Sequence, residues 1–237
     1  MRRALALVLM AGAAQAETVP LAQAEVIRAD LAQPTDRYAH AVLGDALEWG
    51  GLTLTVNTCL GCAGLHLTDV TITLPPNRVF EDVTTRLADL DSDGRDEVVV
   101  VETDLALGAS LAIYGAGGKI AATDFIGQPN RWLAPAGIAD FDGDGRVEVA
   151  YVDRPHLLGD LVFVRLEGDR LVETQRLPGL TNHRIGQDVI SGGLRDCGQG
   201  PELVLASMDW TRMLGVRDGQ VDDLGPMPPE GLTIPPC

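Results

Sequence analysis

Asp89-Leu-Asp-Ser-Asp-Gly-Arg-Asp-Glu97 runs straight into Val98-Val-Val-Val101, and 51 residues further on (89 to 140) Asp140-Phe-Asp-Gly-Asp-Gly-Arg-Val-Glu148 runs into Val149-Ala-Tyr-Val152. Each stretch sets carboxylates at loop positions 1, 3, 5 and 9 around a glycine at position 6. A hard cation such as Ca²⁺ takes six to eight oxygens at about 2.3 to 2.6 Å, and a loop of this spacing can wrap one ion. The glycine permits the tight bend. The side chains of Asp89, Asp91, Asp93 and Glu97, and of Asp140, Asp142, Asp144 and Glu148, are the expected ligands, with backbone carbonyls from Arg95 and Arg146. Asp96 is expected to face water. The plainer alternative is that Asp and Gly simply turn the chain between strands.

An EF-hand needs a bidentate acid at position 12 and helices on both sides. Position 12 here is Val100 or Tyr151, and the β-branched and aromatic runs that follow favour strands. The cofactor expected is therefore calcium within a β architecture.

The loops belong to a longer period. An Arg beside an aromatic or apolar residue recurs at Asp36-Arg-Tyr38, Asn77-Arg-Val-Phe80, Asn130-Arg-Trp132 and Asn182-His-Arg-Ile185, each preceding an Asp at 45, 89, 140 or 196. This divides the chain into four units of about fifty residues, the length of a β repeat that cannot bury its apolar face alone. In the third unit, strands read as 133–139, 147–152, 161–165 and 171–177, separated by turn residues. The second and fourth units keep that order. The first unit is more divergent, with strands at 52–56 and 65–74. Residues 24–31 read as an outer strand without its own blade, placed to close the ring against the last unit. The fold class expected is all-β, a propeller-like array of four or five antiparallel four-stranded blades, with few helices.

These features together resemble the VCBS or FG-GAP-like repeat proteins, calcium-loop propellers that also make up integrin α-chain heads. The resemblance is specific at Asp89 to Glu97 and Asp140 to Glu148, and it implies that the ions brace the loops between strands. The resemblance also implies an exported bacterial type of undefined role. The Phe-Gly and Gly-Ala-Pro signatures are absent, and the repeats are fewer than is common in the family.

Residues 1–16 carry Arg2-Arg3, an apolar core and Ala14-Gln-Ala16, the layout of a cleaved secretory signal, so a periplasmic or secreted protein is expected. The remainder, 237 minus 16 or 221 residues, suits one β domain over 17–237. Its 34 acids against 16 bases (18 minus two in the signal) repel phosphate backbones, so nucleic acid is a poor partner. No later apolar run suits membrane insertion.

Four cysteines in an exported chain point to disulfides. Cys59-Leu-Gly-Cys62 lacks the histidine of haem attachment and precedes a strand-like segment, so a local disulfide is favoured over a redox or zinc site, leaving Cys197 with Cys237 by elimination. In the fourth unit, where Arg195 and Cys197 interrupt the acids, that second bridge is expected in place of an ion. Arg37, Arg78, Arg131 and Arg184 form a candidate ring for a carboxylate or sulfate on a protein or glycan ligand. Alternatively, they bond carbonyls of the neighbouring unit. His40, His66, His156 and His183 show no metal spacing. The functional expectation is a non-catalytic binding or assembly module, and the alternative is a polysaccharide hydrolase or lyase, for which no catalytic carboxylate pair stands out.

Overall fold

In the computed structural model, which describes residues 17–44 and 46–237, the regular structure is antiparallel β-sheet apart from one 3-10 turn at Leu21–Gln23. The expected signal at 1–16 and the repeat position Asp45 lie outside the described residues. Among the described residues, no helix is long and apolar enough to cross a membrane.

The first repeat contains β1 (Glu17–Thr18), β2 (Glu25–Thr35), β3 (Glu48–Asn57), β4 (Cys59–Leu60) and β5 (Leu67–Thr73). β1 and β4 make a small bridge, while β2 and β5 flank β3. This corrects the expectation for residues 24–31: β2 is no unattached outer strand but pairs with β3 from Glu25↔Asn57 to Thr35↔Glu48. β3 is largely buried on both faces, so a strand on each edge satisfies its backbone groups.

The second repeat comprises β6 (Arg78–Phe80), β7 (Arg86–Ala88), β8 (Glu97–Asp104), β9 (Gly108–Gly115) and β10 (Gly118–Ala122). β6 and β7 are two halves of one inner strand. β6 pairs with the far end of β8 and β7 with the near end, and 81–85 loops out between them. β8 is buried over its whole length, which explains its unbroken valine run. The third repeat is β11 (Leu133–Ala139), β12 (Glu148–Asp153), β13 (Asp160–Glu167) and β14 (Arg170–Pro178), a four-stranded meander. The fourth splits its inner strand again, into β15 (Leu180–Thr181) and β16 (Gly193–Asp196), before β17 (Pro201–Ser207), β18 (Arg212–Arg217) and β19 (Gln220–Pro226).

Four separate four-stranded sheets were expected, and only the third repeat supplies one. The Trp49↔Phe80 pairing of β3 with β6 fuses the first two repeats into one eight-stranded sheet, and the split inner strand gives the fourth repeat five. Among the described residues no strand of the last sheet pairs with the first, so strand pairing does not close the sheets into a ring. Buried apolar clusters fill the spaces between successive repeats. One joins Leu52, Leu54 and Phe80 to Val98, Val100 and Tyr114. A second joins Val99, Leu111 and Ile113 to Trp132, Val149 and Val162. A third joins Ala150, Leu161 and Phe163 to Leu203 and Leu205. A repeat therefore hides its apolar face against the next one.

The first and last repeats meet through loops. The Gly186 N–H donates to Val42 O at 2.9 Å, and a side chain at Gly44, held at φ +78°, would collide with the Gly186 carbonyl. Val42, Leu43 and Ile190 all pack on the middle apolar cluster. Both expected disulfides form. Cys59 bridges Cys62 across a Cα separation of 5.8 Å, and Cys197 bridges Cys237 across 5.4 Å, tying the chain end to the last repeat.

Candidate metal centres and the repeat hub

The two acidic loops connect β7 to β8 and β11 to β12, with Glu97 and Glu148 as the first residues of β8 and β12. The loops close on themselves through backbone N–H groups. Asp89 Oδ2 accepts from Gly94 N (2.9 Å), Asp91 Oδ1 from Asp93 N (3.1 Å) and Asp93 Oδ1 from Arg95 N (2.9 Å). In the second loop, Asp140 Oδ2 accepts from Gly145 N (2.9 Å), Asp142 Oδ1 from Asp144 N (3.0 Å) and Asp144 Oδ1 from Arg146 N (2.9 Å). Glu97 Oε2 and Glu148 Oε2 each reach back to the second loop residue, accepting from Leu90 N and Phe141 N at 2.9 Å.

Asp89, Asp91 and Glu97 bring one oxygen each within 4.8 Å of one another, as do Asp140, Asp142 and Glu148, and either trio could hold a metal ion. Asp93 and Asp144 stand outside these trios. Asp93 pairs with the Arg95 guanidinium, and Asp144 pairs with Arg146 and Arg165 at 3.0 Å each. Arg95 and Arg146, expected to contribute carbonyls, thus also neutralise the position-5 acid through their side chains. Asp96, expected in water, is half-buried.

The donor set suits a cation on two observations. Asp140 Oδ1 and Glu148 Oε1 are buried with no hydrogen-bond partner, a costly state for carboxylate oxygens without a positive charge beside them. The nearest base is Arg165, 3.6 Å from Glu148 Oε1. Glu97, only 6 % exposed, is pushed up to about 7 by burial, helped by Asp91, Asp93 and Asp89 and opposed by the Leu90 N–H. Burial likewise raises Glu148, with Asp142 and Asp144 adding to the effect. In the fourth repeat, Glu202 holds the corresponding place near the start of β17, and there Arg195 and Arg217 supply the positive charge directly. The buried glutamate thus has two guanidinium groups in the fourth repeat and one, at 3.6 Å, in the third, and in the second Glu97 has no base at ion-pair distance among the described residues.

The four recurring arginines do not share one kind of partner. Arg37 donates to the carbonyl of Arg78 in the next repeat. Arg78 pairs with Glu102 at 2.9 Å and lies over the Phe125 ring. Arg131 Nη1 donates to Asn130 O at 2.8 Å, and Arg184 lies over the Trp210 ring at 4.3 Å.

The residues beside these arginines form a hub that single-sequence reading missed. His40 Nδ1 lies 2.6 Å from Glu81 Oε1, and the Trp132 Nε1–H donates to Glu81 O at 2.8 Å. The Trp132 ring packs edge-on against His183, whose Nδ1 is 2.9 Å from His156 Nε2. One residue from each repeat, His40, Glu81, Trp132 and His183, is thereby linked in sequence. The available signal was positional: each lies within three residues of a recurring arginine. Burial lowers His156 to about 4 and also lowers His183, so both imidazoles are neutral near pH 7.

Comparison with curated proteins and with solved structures gave no match. Residues 75–151, which hold both acidic loops and the strands that follow them, match the family model for the FG-GAP-like repeat.

Proposed function

We propose that the chain is an exported, calcium-braced FG-GAP-type repeat protein, propeller-like in build, that serves as a non-catalytic binding or assembly module in the periplasm or outside the cell. The single observation that carries the calcium reading is the pair of buried oxygens without a hydrogen bond, Asp140 Oδ1 and Glu148 Oε1, within the three-carboxylate cluster of the second loop. Asp89, Asp91 and Glu97 would hold one ion and Asp140, Asp142 and Glu148 another, with Asp93 and Asp144 able to join if their arginine partners swing away. All-oxygen donor sets at flexible loops suit calcium over softer metals. Two disulfides support an oxidising location. A net charge of −16 disfavours nucleic acid and leaves a protein or glycan as the ligand class.

Thermal unfolding with calcium, with magnesium and with chelator tests the proposal. Binding to the folded state alone stabilises it by about 2.7 kcal/mol at a hundredfold excess over Kd. The unfolding midpoint is expected to rise with calcium and fall on chelation. A midpoint indifferent to both would overturn the metal reading.

A further inference from the structure

A cavity of about 320 Å³ opens at the hub, walled by His40 of the first repeat, Arg131, Arg154 and His156 of the third, and Ile185 of the fourth. Four observations converge on it. The first is charge. In a chain of 34 acids and 18 bases, Arg37, Arg131 and Arg184 are the only arginines among the described residues with no carboxylate at ion-pair distance. Of these three, Arg131 lines the cavity, and its Nε and Nη2 have no hydrogen-bond partner among the described residues. Arg154 engages Asp153 through Nε and Nη2, which leaves Nη1 available.

The second observation is the direction of the hydrogen bonds. His183 Nε2 lies 2.9 Å from the Gln187 carbonyl and must donate to it, so Nδ1 of this neutral ring accepts. His156 Nε2 then donates to His183 Nδ1, and His156 Nδ1 is left as an acceptor. His40 is fixed through Nδ1 by Glu81, and its Nε2 has no hydrogen-bond partner among the described residues. The third is backbone conformation. Ala41, Asn130 and Arg154 sit at φ 52°, 53° and 47°, a left-handed region that costs non-glycine residues free energy and that clusters at ligand sites. Asn130 and Arg154 line the cavity, and Ala41 lies between two residues that do. The fourth is an apolar lip, since Leu157 and Ile185 at the mouth are 65 % and 72 % exposed.

We propose that this cavity binds a small hydroxylated carboxylate, with the Arg131 fork on the carboxylate and the ring nitrogens of His40 and His156 on its hydroxyls. A sugar acid has this combination of groups. A planar guanidinium recognises a carboxylate through two parallel bonds, and imidazole ring nitrogens form hydrogen bonds with hydroxyls. The volume matches the lower end of small-molecule sites. This assignment rests on the reading of the chain as a binding module, but it is independent of the metal loops.

The experiment is calorimetric titration of the calcium-loaded full chain with galacturonate and with galactose, which differ only at C6, a carboxylate in one and a hydroxymethyl group in the other. Saturable binding of galacturonate is expected, weakened about tenfold or more for galactose and by Arg131→Gln, which removes one bidentate ion pair. Arg131→Gln is expected to keep the wild-type unfolding midpoint and its calcium response, so lost binding is not lost folding. In the unmutated protein, nitrogen shifts of the His156 ring should move with galacturonate saturation. Absence of galacturonate binding, equal affinity for galactose, or binding unchanged in Arg131→Gln would overturn the assignment. A calcium-indifferent midpoint alongside galacturonate binding would overturn the metal reading alone.

Discussion

Replacing Glu97 by glutamine should stabilise the calcium-free protein and weaken the calcium-loaded one. Glu97 is buried at the start of β8, accepts a bond from Leu90 N and faces three aspartates. Burial pushes its folded-state pKa up to about 7, from the 4.5 of an ordinary glutamate. The folded state therefore binds a proton that the unfolded state releases. The resulting penalty is absent below pH 4.5, grows as pH rises through the interval and is complete above pH 7. At about 1.4 kcal/mol per pH unit, the interval corresponds to roughly 3 kcal/mol at alkaline pH in the absence of metal. Glutamine keeps the shape and an acceptor oxygen for Leu90 N and carries no charge. By the scaling for domains of this size, about 2 to 4 °C per kcal/mol, Glu97→Gln should raise the chelated midpoint by roughly 6 to 12 °C near pH 8 and leave it unchanged near pH 4. Added calcium should lift wild type and move the variant less, because one of its three clustered carboxylates is gone. Differential scanning calorimetry in chelator and in calcium, at both pH values, reads all four states. If Glu97→Gln lowers the chelated midpoint and responds to calcium as fully as wild type, the reasoning is wrong.

Glu202→Gln is the contrasting case. It strips a carboxylate from Arg195 and Arg217, so it should destabilise by about 1 to 3 kcal/mol in denaturant titrations, equally with and without calcium. Cys197→Ser should free the C-terminal segment and cost about 2 to 4 kcal/mol, seen as faster proteolytic loss of the tail in otherwise folded protein. Acidification should weaken the hub. His156, at about 4 in the folded state against 6.5 unfolded, contributes stability that is lost as pH falls from 6.5 towards 4, and replacement of His156 by phenylalanine should flatten that part of the midpoint-versus-pH curve.

The acidic loops and the strands after them were legible because both signals are local: an aspartate spacing that closes on its own backbone, and a valine run buried on both faces. The third repeat was read almost residue for residue, with 133–139 matching β11. β6 and β15 were not, since strands of three and two residues carry no alternation to detect. The fusion of the first two sheets hangs on a single cross-strand pair, Trp49↔Phe80, which no local pattern announces. The β2 misassignment arose because its alternation says which face is buried but not which strand lies beside it. At the candidate site, spacing marked every clustered carboxylate, yet it could not reveal that Asp93 and Asp144 turn towards arginines. The hub histidines stayed hidden because their partners lie 41 and 27 residues away in sequence.

Among the described residues the joint between the first and last repeats is made by loops, Val42 to Gly44 against Gly186, with no strand ladder across it. Parting it requires few backbone bonds to break, whereas separating β8 from β9 would tear a ladder of seven register pairs. Strain from tugging on the protein would therefore be relieved at this loop joint, which acts as a clasp, while each sheet stayed whole.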